Sequence, residues 1–238
     1  MSEITVSDIP VEVIRKDIKN MHLAVYPPHG RVRLAVPAQT KDETARLFVI
    51  SKLGWINRHR RRFQSQERQP PREYKERESH YYLGRRYLLR IRETQGAGYV
   101  ELTNKTYLDL YAPEYADEAY MEKTLNEWYR ARLKELLPPL IKEWEQKMNL
   151  RIHFWGIKRM KTMWGTCNPD SRRIWLNLEL AKKPIACLEY ILVHEMVHLL
   201  ERHHNDRFHA YMDRYLPGWK ERRVELNRLP VCGDGWGY

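Results

Sequence analysis

Cysteine is scarce in this chain of 238 residues: only Cys167, Cys187 and Cys232 are present. They are widely spaced and include no Cys-x-x-Cys pair, which argues against a disulfide framework and a thiolate zinc finger. This usage fits a reducing environment, so a cytoplasmic location is expected. Long apolar runs are missing as well. The longest, around Cys187 to Val193, is interrupted by Glu189, and nothing approaches the roughly 18 residues of a membrane span. The first residues carry Glu3 and Asp8 and lack a signal-peptide pattern. Neither a phosphate-binding glycine loop nor an acidic cluster for magnesium occurs. No helix-turn-helix pattern and no internal repeat is visible. Acidic charge is the minority, with 31 Asp and Glu against 42 Lys and Arg and a net charge of +11. That excess suits nucleic acid, anionic substrates or plain solubility. The densest basic cluster, Arg58-His59-Arg60-Arg61-Arg62, has no aromatic series beside it and reads as a solvated helix end. Nucleic-acid binding through the basic surface is open but not required.

Histidine, by contrast, is concentrated. Five of the ten histidines fall between His194 and His209. His194-Glu195-Met196-Val197-His198 places two imidazoles four residues apart, on one face of a helix, where both reach a single zinc ion. Glu195 lies beside them, within reach of a water on that ion. His204 is the favoured third ligand, with His203 and then Glu201 as rivals. Three protein ligands leave the fourth position to water, as in a catalytic site. Asp206 and Asp213 are candidates to orient a ligand imidazole through its other nitrogen. Pro184 suits the first turn of this helix, and Leu188, Ile191, Leu192, Leu199 and Leu200 form its expected apolar stripe.

The rest of the chain reads as α+β. Val11 to Arg15, Met21 to Tyr26 and Arg31 to Val36 alternate as strands, with a turn at Pro27 to Gly30. Thr40 and Glu43 suggest a capping box for one helix, with Leu47, Phe48, Ile50, Leu53, Trp55 and Ile56, that fades near Phe63. Residues 64–79 read as a polar linker. Strands follow at Tyr81 to Arg92 around Gly84, and at Tyr99 to Leu102 and Tyr107 to Tyr111. A long helix is expected from Asp117, buried through Met121, Leu125, Trp128, Leu133 and Leu136, and kinked or split at Pro138-Pro139. Ile152 to Arg159 and Arg173 to Leu178 read as strands with irregular chain between them. Two further helices are expected, at Phe208 to Tyr215 and Trp219 to Leu229.

Several segments resemble the YgjP-like metallopeptidase family, a zincin-type group related to the SprT and WLM proteins. The marks are Tyr82-Leu83-Gly84-Arg85-Arg86-Tyr87, Trp128-Tyr129-Arg130, Met160 through Cys167, Leu176-Asn177-Leu178, and the His-Glu-x-x-His stretch through Asn205 and Phe208. The resemblance covers most of the chain. It implies a β-rich region over residues 1–115 with one helix, then a zincin-like catalytic domain over 116–238. It also implies zinc held by His194, His198 and His204, with Glu195 as the catalytic carboxylate. Met163, Thr166 and His203 stand where members often have Arg, Ser and Asn. Lys161, Arg207, His209 and Tyr211 are candidate donors to a developing oxyanion. Trp164 and Asn177 are candidates to wall the cleft. The expected substrate is a peptide or protein. Some relatives are described as hydrolysing UTP, which makes a nucleotide pyrophosphohydrolase the alternative, served by Arg85, Arg86, Lys158, Arg159 and Lys161. A third reading is an adaptor built around a structural zinc.

Overall fold

The computed structural model describes residues 2–26, 29–65, 68–69, 72–160, 163–229 and 231–232. The chain falls into two compact units, Met1–Pro70 with Pro230–Tyr238, and Pro71–Leu229. The division lies inside the polar segment 64–79. Residues 71–115 of the expected β-rich region therefore belong to the second unit. Among the described residues no helix is long and apolar enough to cross a membrane.

The first unit opens with β1 (Ser2–Val6), β2 (Ile9–Lys16), β3 (His22–Tyr26) and β4 (Arg31–Pro37). Their order in the sheet is β1-β2-β4-β3, with the central β2 and β4 parallel and both outer pairs antiparallel. Alternation turns Val11, Val13, Val32, Leu34 and Val36 inward, all fully buried. Ala45, Val49 and Ile56 close this core from α1 (Asp42–Ser51) and α2 (Leu53–Ser65). The single expected helix is thus two. Lys52 leaves helical geometry at φ −107°, and its amide turns back to the Val49 carbonyl at 3.0 Å. The capping box is not formed either. Lys41 holds the N-cap position without a side-chain hydrogen bond, and Arg15 reaches the Thr40 carbonyl and pairs with Asp42.

The second unit begins with β6 (Ser79–Tyr82), β7 (Arg85–Glu93), β8 (Tyr99–Glu101) and β9 (Tyr107–Ala112), in the order β6-β7-β9-β8. Here too the central pair is parallel and the outer pairs antiparallel. Each sheet starts with a two-residue hairpin turn whose residues both have positive φ: Ser7 and Asp8 at 47° and 62°, Leu83 and Gly84 at 48° and 79°. One strand topology is therefore used twice, although no repeat is visible in the sequence. Along the chain, β5 (Arg68–Gln69) follows α2 and pairs in parallel with the last strand, β13 (Val231–Cys232).

α3 (Glu118–Met148) is capped by Asp117, whose side chain accepts from the Tyr120 amide at 2.8 Å. It continues through Pro138 and Pro139, which lie on its exposed side, where water can serve the carbonyls they leave unbonded. Its buried face is Leu125, Tyr129, Leu133, Leu137, Ile141, Trp144 and Met148. Met121, Trp128 and Leu136, expected there, are only half-buried. The chain then forms β10 (Phe154–Lys158), β11 (Gly165–Asn168) and β12 (Arg173–Asn177), in the order β10-β12-β11. β10 runs parallel to β12 and β11 antiparallel to it. A 3-10 turn, Leu178–Lys182, leads into α4 (Ile185–Val197), followed by α5 (Asp206–Tyr215) and α6 (Trp219–Arg228).

Candidate metal centre

α4 carries His194 and Glu195, and His198 occupies its C-cap position with helical backbone angles. The start of this helix is pinned from the second sheet. The Leu83 and Gly84 amides donate to the Ala181 and Lys182 carbonyls at 2.9 and 3.2 Å. A Cβ on Gly84 would lie 2.7 Å from Pro184 Cγ, so only glycine admits this approach and the positive φ together. α4 is buried on nearly every side, from Cys187 to Val197, rather than along one stripe. Leu199 and Leu200 fall beyond its end and are half-buried. Tight bonds from the Leu199, Leu200 and Glu201 amides to Met196 and Val197 carbonyls turn the chain there. Asn205 then caps α5 by accepting from the Phe208 amide at 3.0 Å, which leaves His204 in the loop facing back to α4.

The three imidazoles converge. Each of His194, His198 and His204 offers a ring nitrogen, and these atoms lie within 4.8 Å of one another. Nε2 of His194 and Nε2 of His204 are 2.9 Å apart. His198 Nδ1 lies 3.1 Å from the Glu201 carbonyl oxygen. A carbonyl only accepts, so Nδ1 carries the proton and Nε2 keeps its lone pair. Burial, and then the two neighbouring imidazoles, push the His194 pKa down to about 3. Burial also lowers His198 and His204. The rings are therefore neutral near pH 7, the state a metal ligand needs. This donor set can hold a metal ion.

Phe208 is the residue that sequence reasoning left without a role. Its ring is 1% exposed and sits 5.0, 4.8 and 4.6 Å from the rings of His194, His198 and His204. All three imidazoles therefore pack on one apolar ring. Gly165 is the second such residue. A Cβ there would stand 2.6 Å from Glu195 Oε1 and 2.7 Å from its Cγ. The buried Glu195 carboxylate thus occupies the space that a side chain on β11 would take. Cys167, two residues along, has its thiol pushed up to about 12, first by burial and then by the Glu195 charge. It stays protonated at neutral pH. Neither role has a short-range sequence signal, because both are contacts across elements.

The other candidates are dispersed. Asn177 is fully buried, and its side-chain amide donates to the Met160 and Met163 carbonyls at 2.8 and 2.7 Å. Trp164 is 4% exposed, with Lys183 Nζ 5.5 Å from its ring. Arg207 is exposed and donates to the Tyr211 hydroxyl at 3.3 Å. His209 stacks on Trp219 at 5.7 Å and meets the Phe208 ring edge-on at 5.9 Å. Lys161 lies outside the described residues. Asp213 accepts from the Trp219 indole at 2.7 Å, and Asp206 is exposed in the first turn of α5, so neither orients an imidazole. His203 is exposed, and its amide bonds the Glu201 carboxylate at 3.2 Å.

Three neutral nitrogen donors around one point, on and just after a buried helix, make a candidate metal centre of the kind a metallopeptidase uses. The chain belongs to the YgjP-like metallopeptidase family, whose domain matches residues 19–229. Among solved structures, the metallopeptidase zymogen abylysin of Pyrococcus abyssi is similar at 22% identity, with a TM-score of 0.34; the match covers 39% of this chain and 97% of that one. No curated protein matches the chain.

Proposed function

We propose that this chain is a zinc-dependent peptidase of zincin type, with α4 as the metal helix and the β10-β12-β11 sheet beside it. The observation that carries the reading is the convergence of His194, His198 and His204 next to the buried Glu195. The three imidazoles would hold the ion, His198 through the Nε2 that its Glu201 contact leaves available. Bound there, zinc would supply Lewis acidity and lower the pKa of a water from ~15.7 towards ~7. Glu195 would serve as the proton acceptor for the attacking water and as the donor to the departing amine. Its place against Gly165 fixes the direction from which it acts. The protonated Cys167 thiol adds no second negative charge beside it. β11 is an outer strand of its sheet, and an extended peptide can pair with such an edge.

Casein turnover with and without a chelator tests this reading. The wild type is expected to lose activity with the chelator and regain it with zinc. Glu195→Gln is expected to retain zinc and lose roughly 100-fold or more in turnover. Full activity in Glu195→Gln would remove Glu195 from the mechanism. Turnover of UTP but not of casein would replace the peptidase with a phosphoanhydride hydrolase.

A further inference from the structure

The open face of the β10-β12-β11 sheet is built like a stacking platform, and the hydrolase reading does not use it. α4 packs on the opposite face, where Ile174 and Leu176 are fully buried and Gly165 meets Glu195. Alternation along β12 sends Arg173 and Trp175 the other way. Phe154, paired with Arg173, joins them and is 43% exposed. The Phe154 and Trp175 rings are 5.2 Å apart. The indole fills the place a side chain would take on Gly156, with Cζ3 2.5 Å from a built Cβ. A glycine on the neighbouring strand thus lets the large ring lie across the sheet.

Cations frame these rings. Lys158 Nζ is 5.1 Å from the Trp175 ring, and the Arg173 guanidinium is 5.7 Å from Phe154. From Leu150 to Leu178 the sequence holds six Lys and Arg and a single carboxylate, Asp170. Two α3 carboxylates reach this stretch: Glu145 accepts from the Ile152 amide at 2.7 Å and Glu122 pairs with Arg159 at 2.5 Å, which leaves Lys158 and Arg173 as the cations beside the rings. An exposed Phe154 beside a half-buried Trp175, amid cations, fits a polyanion that also offers flat bases. We propose that this face binds single-stranded nucleic acid, with bases stacked on Phe154 and Trp175 and phosphates held by Lys158 and Arg173.

The test is fluorescence anisotropy of a labelled 15-nucleotide oligothymidylate with the full chain, over a range of salt. Base–aromatic stacking is worth about 1–3 kcal/mol per base. Phe154→Ala should therefore weaken binding by roughly 5- to 150-fold, and Phe154→Trp should preserve it. Arg173→Gln should reduce the salt slope by about 0.7, as expected for one lost phosphate contact. Binding should survive chelator and Glu195→Gln, so the result stands apart from the peptidase reading. Three outcomes would overturn the proposal: unchanged binding in Phe154→Ala and Arg173→Gln; loss of binding in Arg58→Gln/Arg61→Gln on α2; or equal competition by polyglutamate of matched charge. A Phe154→Ala protein that does not fold leaves Arg173→Gln, at an exposed position, to decide.

Discussion

Gly165 sets the room available to the Glu195 carboxylate. A methyl group there would meet Oε1 at 2.6 Å and must push the carboxylate aside. Gly165→Ala should therefore keep its zinc while kcat on casein falls at least ~10-fold, since misplacement of about 1 Å is costly to catalysis. Wild-type kcat would mean the carboxylate has another productive position. Phe208 acts on the other side, as the common surface of three imidazoles. Phe208→Ala should weaken zinc binding by about 10- to 100-fold in a competitive chelator titration, the range seen when the surroundings of a metal ligand are disturbed. An unchanged affinity would show that the rings orient without it. His80, 2% exposed, gives a pH signature. Burial, and then the charge of Arg72, push its pKa to about 4, against 6.5 when unfolded, although Glu78 at 2.9 Å opposes this. Between those values the unfolded chain binds the extra proton. The stability His80 contributes is complete above about pH 6.5 and is lost as pH falls towards 4. His194 adds a shift of the same sign. Urea midpoints at pH 7 and pH 5 should thus fall further in the wild type than in His80→Gln; equal falls would contradict the assignment.

At the scale of elements, local pattern was readable where one periodicity dominates. β4 alternates cleanly in the sequence and in the sheet, and Asp117 and Trp219 mark helix starts in both. The metal ligands were legible because two of them depend only on the helical repeat. α4 misled because a helix covered by the sheet on one side and by other helices on the rest needs no polar face. α3 was legible in part. Leu125 and Leu133 are buried as expected, while the row continues through Tyr129, Leu137 and Ile141 and leaves Trp128 and Leu136 half-buried beside it. Asn177 looked like a cleft residue, yet its amide is consumed by backbone carbonyls brought from elsewhere. Glu201 contributes through its main-chain oxygen, which no side-chain pattern encodes. The same reasoning makes the Gly84 turn a support for α4. Gly84→Ala carries both a φ of +79° and the Pro184 contact. It should destabilise the protein by about 1–3 kcal/mol in urea unfolding. Wild-type stability would mean the turn and helix start shift apart at little cost.

For the whole molecule, one sheet topology appears in both compact units, but only the second carries the three histidines of the metal centre. His194, Glu195, His198 and His204, together with Gly165, Phe208 and the Gly84 turn, all lie within Pro71–Leu229. A fragment of residues 71–229 should therefore bind zinc with nearly the affinity of the full chain, as measured by competitive titration; loss of binding would show that the first unit is required to shape the site. The sequence hid the shared topology because strand order depends on pairing between distant segments, and the two sets of strands satisfy it with unrelated residues. The most direct check on the account is the zinc stoichiometry of the full chain and of His194→Ala, His198→Ala and His204→Ala, measured by elemental analysis after dialysis against trace zinc. The account expects a single tightly held ion in the wild type and loss of tight binding in every variant. An ion retained in all three variants, or none in a well-folded wild type, would contradict it.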